Sequence, residues 1–128
     1  MNAASGSRAE TAMLDEIRRQ IEASVSVKEA VLRDNRLLRQ LEQLAHVCLL
    51  SLKAGGKVIF AGNGGSFADA QHLSAEFVSR FLFDRAPLPS LALGTNNSAI
   101  SAIGNDYGYE QVFARELQAS AKPGDVFI

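Results

Sequence analysis

His72 and Glu76 lie four residues apart near the middle of the chain. On an α-helix this spacing puts both side chains on one face, one turn apart. An imidazole and a carboxylate in this arrangement can share a metal ion or act as an acid–base pair. The alternative is a solvated helix face on which the pairing has no function. The elements that position the two residues decide between these readings.

A strand and a glycine-rich turn come directly before this helix. Lys57 to Ala61 is short, apolar and rich in β-formers, which is typical of a buried strand. The segment Gly62 to Gly65 holds three glycines, which let the backbone turn sharply and approach a ligand closely. Ser66 is predicted to cap a helix over 67–82, with Asp69 at the capping-box position. Because helix N–H groups and the helix dipole then point at one place, the turn predicts a cradle for an anion or a sugar phosphate.

Two amphipathic helices are predicted before the strand. Apolar residues recur every three or four positions from Ala9, and Asp34-Asn35 is the predicted break, since both residues favour caps over helix interiors. Gly55-Gly56 ends the second helix. Residues 1–8 are small and polar and are predicted to be disordered.

The predicted helical pair, residues 9–54, is more apolar than one small sheet face requires. Leu38, Leu49 and Leu50 add apolar surface outside the main stripe of the second helix. This surplus indicates burial against another subunit and predicts a homo-oligomer. The alternative is that all of it packs inside one monomer.

Strand and helix alternate from Lys57 onward, which predicts a parallel sheet. The expected later elements are a strand over 90–93, a short helix over 99–103 interrupted by Gly104-Asn105-Asp106, a helix over 111–121 and a strand from Asp125. The sequence stops at Ile128, inside that third strand. We therefore interpret it as the N-terminal part of a longer protein.

Composition argues against several classes of partner. The net charge is −1 and there is no basic patch with interleaved aromatics, so nucleic-acid binding is not indicated. No apolar run approaches the ~20 residues that span a membrane, and the N-terminus lacks a secretion signal. Cys48 is the only cysteine, which fits a reducing cytoplasm. We expect a cytoplasmic protein with neither nucleic-acid nor membrane partners.

The residues around the glycine turn resemble the bacterial phosphoheptose isomerases, which belong to the sugar isomerase (SIS) domain superfamily. The resemblance is carried by Ala61-Gly62-Asn63-Gly64-Gly65-Ser66, Asp69-Ala70-Gln71-His72 and Glu76, and by two later segments, 104–109 and 122–126. It covers nearly the whole chain. It implies an α/β fold, a SIS-type (flavodoxin-like) three-layer αβα sandwich with a parallel sheet, preceded by the two N-terminal helices. Residues 55–128 would form the N-terminal part of the SIS domain.

The resemblance also implies an activity. These enzymes interconvert sedoheptulose 7-phosphate and D-glycero-D-manno-heptose 7-phosphate through an enediol, a step towards the heptose of bacterial lipopolysaccharide. It implies a homotetramer and one zinc ion per subunit, with the remaining zinc ligands beyond residue 128. We expect the 128-residue chain by itself to be inactive.

By position, the resemblance assigns roles to individual residues. Substrate contacts are implied for Asn63, Gly64, Gly65, Ser66, Glu76, Asn105 and Asp106. Zinc ligands are implied at His72 and Glu76, and Glu76 is also the implied catalytic base. Each role has a structural alternative, in which the glycines only shape the turn, Ser66 only caps the helix, and Asn105 and Asp106 only shape a loop.

Two positions depart from the family pattern. Phe67 replaces a residue that is often smaller, which narrows the mouth of the cradle, and Asn96 stands where many members have Asp. Two other functions are open: a non-catalytic SIS-domain binding protein of the replication-initiator-associating type, and a sugar-phosphate sensor. The intact turn over 62–66 and the acidic Glu76 favour the enzyme.

Overall fold

A computed structural model describes residues 3–128, with side chains from Glu10 onward. In chain order the elements are α1 (Ala3–Arg33), α2 (Asn35–Lys53), β1 (Val58–Phe60), α3 (Gly65–Val78), β2 (Ser90–Ala92), α4 (Asn97–Tyr107), a short 3-10 helix (Tyr109–Gln111), α5 (Val112–Ser120) and β3 (Val126–Phe127). The chain divides into two units, of which the first ends at Gln43 and the second is Leu44–Ile128. Within the described residues, no helix is both long enough and apolar enough to cross a membrane.

The sheet is parallel, as predicted, with strand order β2-β1-β3. Val58 of the central strand is in register with Ser90 on one side and with Val126 on the other. The pairing continues beyond β3, because the Ile128 N–H donates to the Ile59 carbonyl at 2.9 Å. Parallel pairing places the carboxyl ends of β1 and β2 at one edge of the sheet.

The core of the second unit forms around β1, whose three residues are all buried. Val58 and Phe60 lie on one face and Ile59 on the other, since side chains alternate along a strand. The Phe60 ring meets the Phe77 ring of α3 at a centroid distance of 5.7 Å and an angle of 63°. Both faces of β1 are therefore covered, as in a layered α/β sandwich.

The C-terminal half of α2 belongs with the sheet. Cys48 and Leu52 pack against the core cluster, and the Ser51 hydroxyl donates to the Gly124 carbonyl at 2.6 Å. The division between the units consequently falls after Gln43, whereas the sequence placed it after residue 54.

The break between α1 and α2 lies where it was predicted. The Asp34 carboxylate accepts hydrogen bonds from the N–H groups of Arg36 and Leu37 at 2.9 and 3.0 Å, so it caps α2. The start of α1 differs from the prediction, because residues 3–8 are helical and not disordered. The segment has two alanines, an arginine and no proline, and it continues directly into the rest of α1, so the helix extends through Ser5, Gly6 and Ser7 although these are weaker helix formers. Residues 1 and 2 lie outside the described part of the chain.

The apolar surplus of the two N-terminal helices lies on their surface. In α1 the exposed apolar side chains include Met13, Leu14, Ile17, Ile21, Val25 and Leu32. In α2 they include Leu38, Leu41, Leu44, Val47, Leu49 and Leu50. Extended apolar faces of this kind are typical of surfaces that bind another protein chain.

Helix α3 differs from its prediction at both ends. It begins at Gly65 with Gly64 as N-cap and without a side-chain cap, so Ser66 lies inside the first turn and the proposed capping box with Asp69 does not form. It ends at Val78 and not near residue 82. The Arg85 guanidinium donates to the Glu76 and Phe77 carbonyls at 2.7 and 2.8 Å. Because a cation satisfies these terminal carbonyls, the chain can leave the helix early.

Helix α4 is longer than predicted. The Asn96 side chain accepts hydrogen bonds from the N–H groups of Ser98 and Ala99, both at 3.1 Å, and caps the helix. The segment 104–106 was expected to interrupt it but lies inside it, and the helix ends at Tyr107, before Gly108 with φ +94°. One glycine inside a helix costs about 1 kcal/mol relative to alanine, which a well-capped helix tolerates.

Asp125 joins the beginnings of β1 and β3. Its carboxylate accepts from the Lys57 backbone N–H at 2.9 Å, from Lys57 Nζ at 2.5 Å and from the Lys122 N–H at 2.7 Å. The side chain is only 6 % exposed. The hydrogen bond from Lys57 is the largest of the effects that lower the pKa of Asp125 from 3.8 to about 2.

We predict that Asp125→Asn lowers the melting temperature at pH 7 by several degrees. Since the pKa of Asp125 is lower in the folded state, ionised Asp125 stabilises the fold above pH 3.8, and this stabilisation is lost as the pH falls through about 2. The difference from wild type should therefore narrow over this range in thermal unfolding followed by circular dichroism. Asp15→Asn is the control, because Asp15 makes an exposed ion pair with Arg18 in α1. Equal melting temperatures of wild type and Asp125→Asn at pH 7 would contradict the role given to this carboxylate.

Candidate functional site

The glycine turn after β1 packs directly on the first turn of α3. A Cβ added to Gly62 would lie 2.5 Å from the backbone C and O atoms of Ser66, so any side chain here would push the helix away from the strand. Gly64 has φ +57°, a conformation that favours glycine. The Asn63 carbonyl accepts from the Ser66 N–H, and the Gly64 carbonyl from the Phe67 N–H, both at 3.1 Å. The predicted strand, glycine turn and helix are confirmed.

A cavity of about 180 Å³ lies beside this turn. Its lining comes from the glycine turn, the start of α3, the glycine after β2 and the segment from α4 to α5: Gly62, Asn63, Gly64, Phe67, Gly94, Ile100, Tyr109, Val112 and Phe113. The cavity adjoins the carboxyl ends of two neighbouring parallel strands, because Gly62 follows β1 and Gly94 follows β2. Doubly wound α/β proteins bind ligands at this edge.

The rings of Phe67 and Phe113 line the cavity next to Gly94. Gly94 has φ +79°, and a Cβ there would lie 3.1 Å from the Phe67 ring and 3.3 Å from the Phe113 ring. The Gly94 N–H donates to the Glu116 carboxylate of α5, which fixes the loop after β2. Phe67 thus lines the cavity, at the position where the sequence analysis expected a narrower mouth.

The polar edge of the cavity is formed by Asn63 and Tyr109. The Tyr109 hydroxyl donates to Asn63 Oδ1 at 2.6 Å, which joins two segments that are 46 residues apart in sequence. Sequence reasoning assigned a role to Asn63 but none to Tyr109. The available signal was the position of Tyr109 in the segment 104–109, directly after a glycine.

His72 and Glu76 share one face of α3, as their spacing predicted. His72 Nε2 lies 3.6 Å from Glu76 Oε1, and the two side chains are 73 % and 29 % exposed. A second cavity, of about 240 Å³, adjoins the pair and is otherwise mainly apolar, with Leu73, Phe77, Phe81, Arg85 and Leu88 in its lining. Glu76 is the more enclosed of the two residues, which leaves His72 as the accessible partner.

The pair fits part of a zinc site. Zinc is bound by imidazole nitrogen and carboxylate oxygen, so His72 and Glu76 would hold such an ion through these two groups. No cluster of three or more His, Cys, Asp or Glu residues suited to a metal occurs in the part of the chain that the structure describes. His72 and Glu76 could therefore supply two ligands, and a structural zinc site takes four.

Asn105 and Asp106 lie apart from both cavities. They occupy the last turn of α4, where Asn105 Nδ2 donates to Asp106 Oδ1 at 2.9 Å and both side chains are exposed. They border a shallow surface with Asn97, Ser98, Ser101 and Ala102. The residues expected in one site thus fall into three places on the described chain: the turn cavity with Asn63 and Gly64, the His72–Glu76 face, and the end of α4. Gly65 and Ser66 are exposed in the first turn of α3.

Comparison with protein families adds evidence of a different kind. The model of the SIS domain matches residues 13–128. A phosphoheptose isomerase from Aneurinibacillus thermoaerophilus is 56% identical over 116 residues, which are 91% of this chain and 59% of the relative. A phosphoheptose isomerase from Burkholderia pseudomallei (strain 1710b) is 56% identical over 102 residues, 80% of this chain and 52% of the relative.

Solved structures support the same grouping. The phosphoheptose isomerase GmhA from Neisseria gonorrhoeae superposes with a TM-score of 0.80 and 35% identity, over 90% of this chain and 58% of that one. A phosphoheptose isomerase from Francisella tularensis gives a TM-score of 0.82 and 35% identity, over 90% and 59%. The chain therefore has the fold predicted for it, and it spans 52–59% of the length of these relatives.

Proposed function

Because this chain belongs to the SIS domain family, we propose that it is the N-terminal part of a phosphoheptose isomerase. The enzyme interconverts sedoheptulose 7-phosphate and D-glycero-D-manno-heptose 7-phosphate, in the cytoplasm, for lipopolysaccharide heptose. The observation that carries the proposal is a glycine turn beside a cavity at the carboxyl ends of β1 and β2. The helix that begins at this turn, α3, carries His72 and Glu76. The similarity to relatives named phosphoheptose isomerase, up to 56% identity, supports this substrate class.

The glycine turn binds the sugar phosphate in this proposal. Asn63 offers a carboxamide at the rim of the cavity, Gly64 and Gly65 bring backbone close to the ligand, and the Ser66 hydroxyl is exposed in the first turn of α3. The start of a helix attracts negative charge. Binding energy from the phosphate, which does not react, can then orient the reacting carbons.

Glu76 is the proposed base. Moving a carbonyl between C1 and C2 requires removal of a proton next to the carbonyl and transfer of a proton to oxygen, through an enediol. Glu76 is held on a helix and is the less exposed member of the pair, so its carboxylate has less freedom to move than the His72 imidazole. The hydrogen bonds of Arg85 to the carbonyls of Glu76 and Phe77 fix the backbone at the same point.

Zinc is the proposed cofactor, with His72 and Glu76 among its ligands. A bound zinc ion can polarise a carbonyl and stabilise an enediolate. Asn105 and Asp106 are proposed to hold sugar hydroxyls, which requires the end of α4 to contact the same ligand in the assembled enzyme. The hydroxyl groups of a heptose extend over several ångströms, so a ligand of this length suits separate contact points.

We predict that Glu76→Gln in the full-length protein lowers the conversion of sedoheptulose 7-phosphate by about 10²- to 10⁴-fold, since glutamine keeps the size but not the basicity. His72→Ala should reduce the zinc content more than Glu76→Gln does, because an amide oxygen can still bind zinc. Turnover, solvent deuterium uptake at C2 of the product and metal content measure these effects. Wild-type turnover in Glu76→Gln excludes it as the base. A zinc-loaded wild type without turnover would favour a binding protein.

We also propose that the enzyme is a homotetramer held together through its N-terminal helices, because α1 and α2 expose long apolar faces. Light scattering of the full-length protein should give four times the mass of one chain. Ile21→Glu places a charge on the apolar face of α1 and should lower that mass. Ala23→Glu adds the same charge on the polar side of α1 and should not. A wild-type monomer at micromolar concentration would contradict this assembly.

A further inference from the structure

We propose that Tyr109 is a positioning residue for Asn63: its hydroxyl holds the Asn63 carboxamide so that the Nδ2 amino group faces the ligand in the turn cavity. The ligand class, a sugar phosphate, is that of the proposed function. The two residues meet through a hydrogen bond of 2.6 Å from the Tyr109 hydroxyl to Asn63 Oδ1. Both residues also line the same cavity of about 180 Å³.

The backbone brings Tyr109 to this place by a sharp turn. Helix α4 ends at Tyr107, and Gly108 follows with φ +94°. The 3-10 helix Tyr109–Gln111 begins at once, and the Gln111 N–H donates to the Gly108 carbonyl at 3.1 Å. Asn63 is fixed from the other side, because its carbonyl accepts from the Ser66 N–H. The main chain of Asn63 is thus held, and the orientation of its carboxamide is the remaining variable.

A carboxamide presents different chemistry at its two ends. The oxygen accepts hydrogen bonds and the amino group donates two, so a rotation of about 180° exchanges an acceptor for donors. Oxygen atoms of a phosphate, and carbonyl or hydroxyl oxygens of a sugar, can accept hydrogen bonds. A donor hydroxyl on Oδ1 turns the oxygen towards Tyr109 and leaves Nδ2 available to such acceptors. In the orientation that the structure shows, Asn63 can therefore donate to an oxygen atom of a sugar phosphate.

Burial alone does not explain this hydrogen bond. Tyr109 is 61% exposed, so water could satisfy its hydroxyl without a protein partner. A single exposed hydrogen bond contributes little to the stability of the fold, because water competes for both partners. Its larger effect is on the orientation of the Asn63 carboxamide, because it joins the glycine turn to a segment 46 residues away at the rim of the cavity.

The test compares two identical substitutions in the full-length protein. Tyr109→Phe removes the hydroxyl and keeps the ring that lines the cavity. Tyr107→Phe is the matched control, because the Tyr107 ring stacks under the Arg115 guanidinium at 3.8 Å, on the last turn of α4. We expect Tyr109→Phe to raise the KM for sedoheptulose 7-phosphate about 3- to 10-fold, with kcat within about twofold, as for a lost ground-state contact. Tyr107→Phe should change neither.

A spectroscopic measurement tests the orientation without turnover. In protein labelled with ¹⁵N-asparagine, the Asn63 side-chain amide signal is assigned by its loss in Asn63→Ser. This signal should shift in Tyr109→Phe and stay in place in Tyr107→Phe. An unchanged Asn63 signal, a wild-type KM or a loss confined to kcat in Tyr109→Phe overturns the inference. If the wild type fails to convert sedoheptulose 7-phosphate, the proposed function is wrong, and the amide signal still decides the role of Tyr109.

Discussion

The close approach of Gly62 to the first turn of α3 is the constraint on which the candidate site depends. Backbone meets backbone there, since a Cβ on Gly62 would lie 2.5 Å from Ser66. This contact sets the distance between β1 and α3. It thereby places Asn63 and Gly64 at the sheet edge and sets the distance of His72 and Glu76 from that edge. A displacement of the helix start would move the cradle and the His72–Glu76 pair together.

The other ends of these elements are held by charged side chains. Arg85 binds the terminal carbonyls of α3, and Asp125 binds Lys57 at the start of β1. The strand and the helix that carry the site are thus each fixed away from the ligand edge by charge-assisted hydrogen bonds. The loops at the ligand edge contain Gly62, Gly64 and Gly94, whose lack of side chains leaves space for a ligand. Elements held at one end and open backbone at the other suit a site that must orient a flexible sugar chain.

Local sequence patterns predicted the parts of the fold that depend on near neighbours. The break at Asp34, the strand before Gly62 and the His72–Glu76 pair all follow from spacing and capping chemistry. The errors arose where individual side-chain hydrogen bonds, and not the apolar pattern, decide the outcome. Helix α3 ends early because Arg85 reaches its carbonyls. Gly104 stays helical because α4 is capped at Asn96. The glycine before Tyr109 signalled a turn, but the bond from Tyr109 to Asn63 depends on how α4 ends against the glycine turn, which the sequence pattern does not show.

The candidate residues lie in three separate places, which limits how a ligand can bind in the proposed enzyme. The turn cavity, the His72–Glu76 face and the end of α4 are separate on the described chain, so a ligand that contacts all three must span them. The most direct test is a crystal structure of the full-length protein with sedoheptulose 7-phosphate, using Glu76→Gln to prevent turnover. The account predicts ligand oxygens within hydrogen-bond distance of Asn63 Nδ2 and of the backbone at Gly64, with the reacting end of the sugar beside residue 76. A ligand bound away from the glycine turn would contradict it.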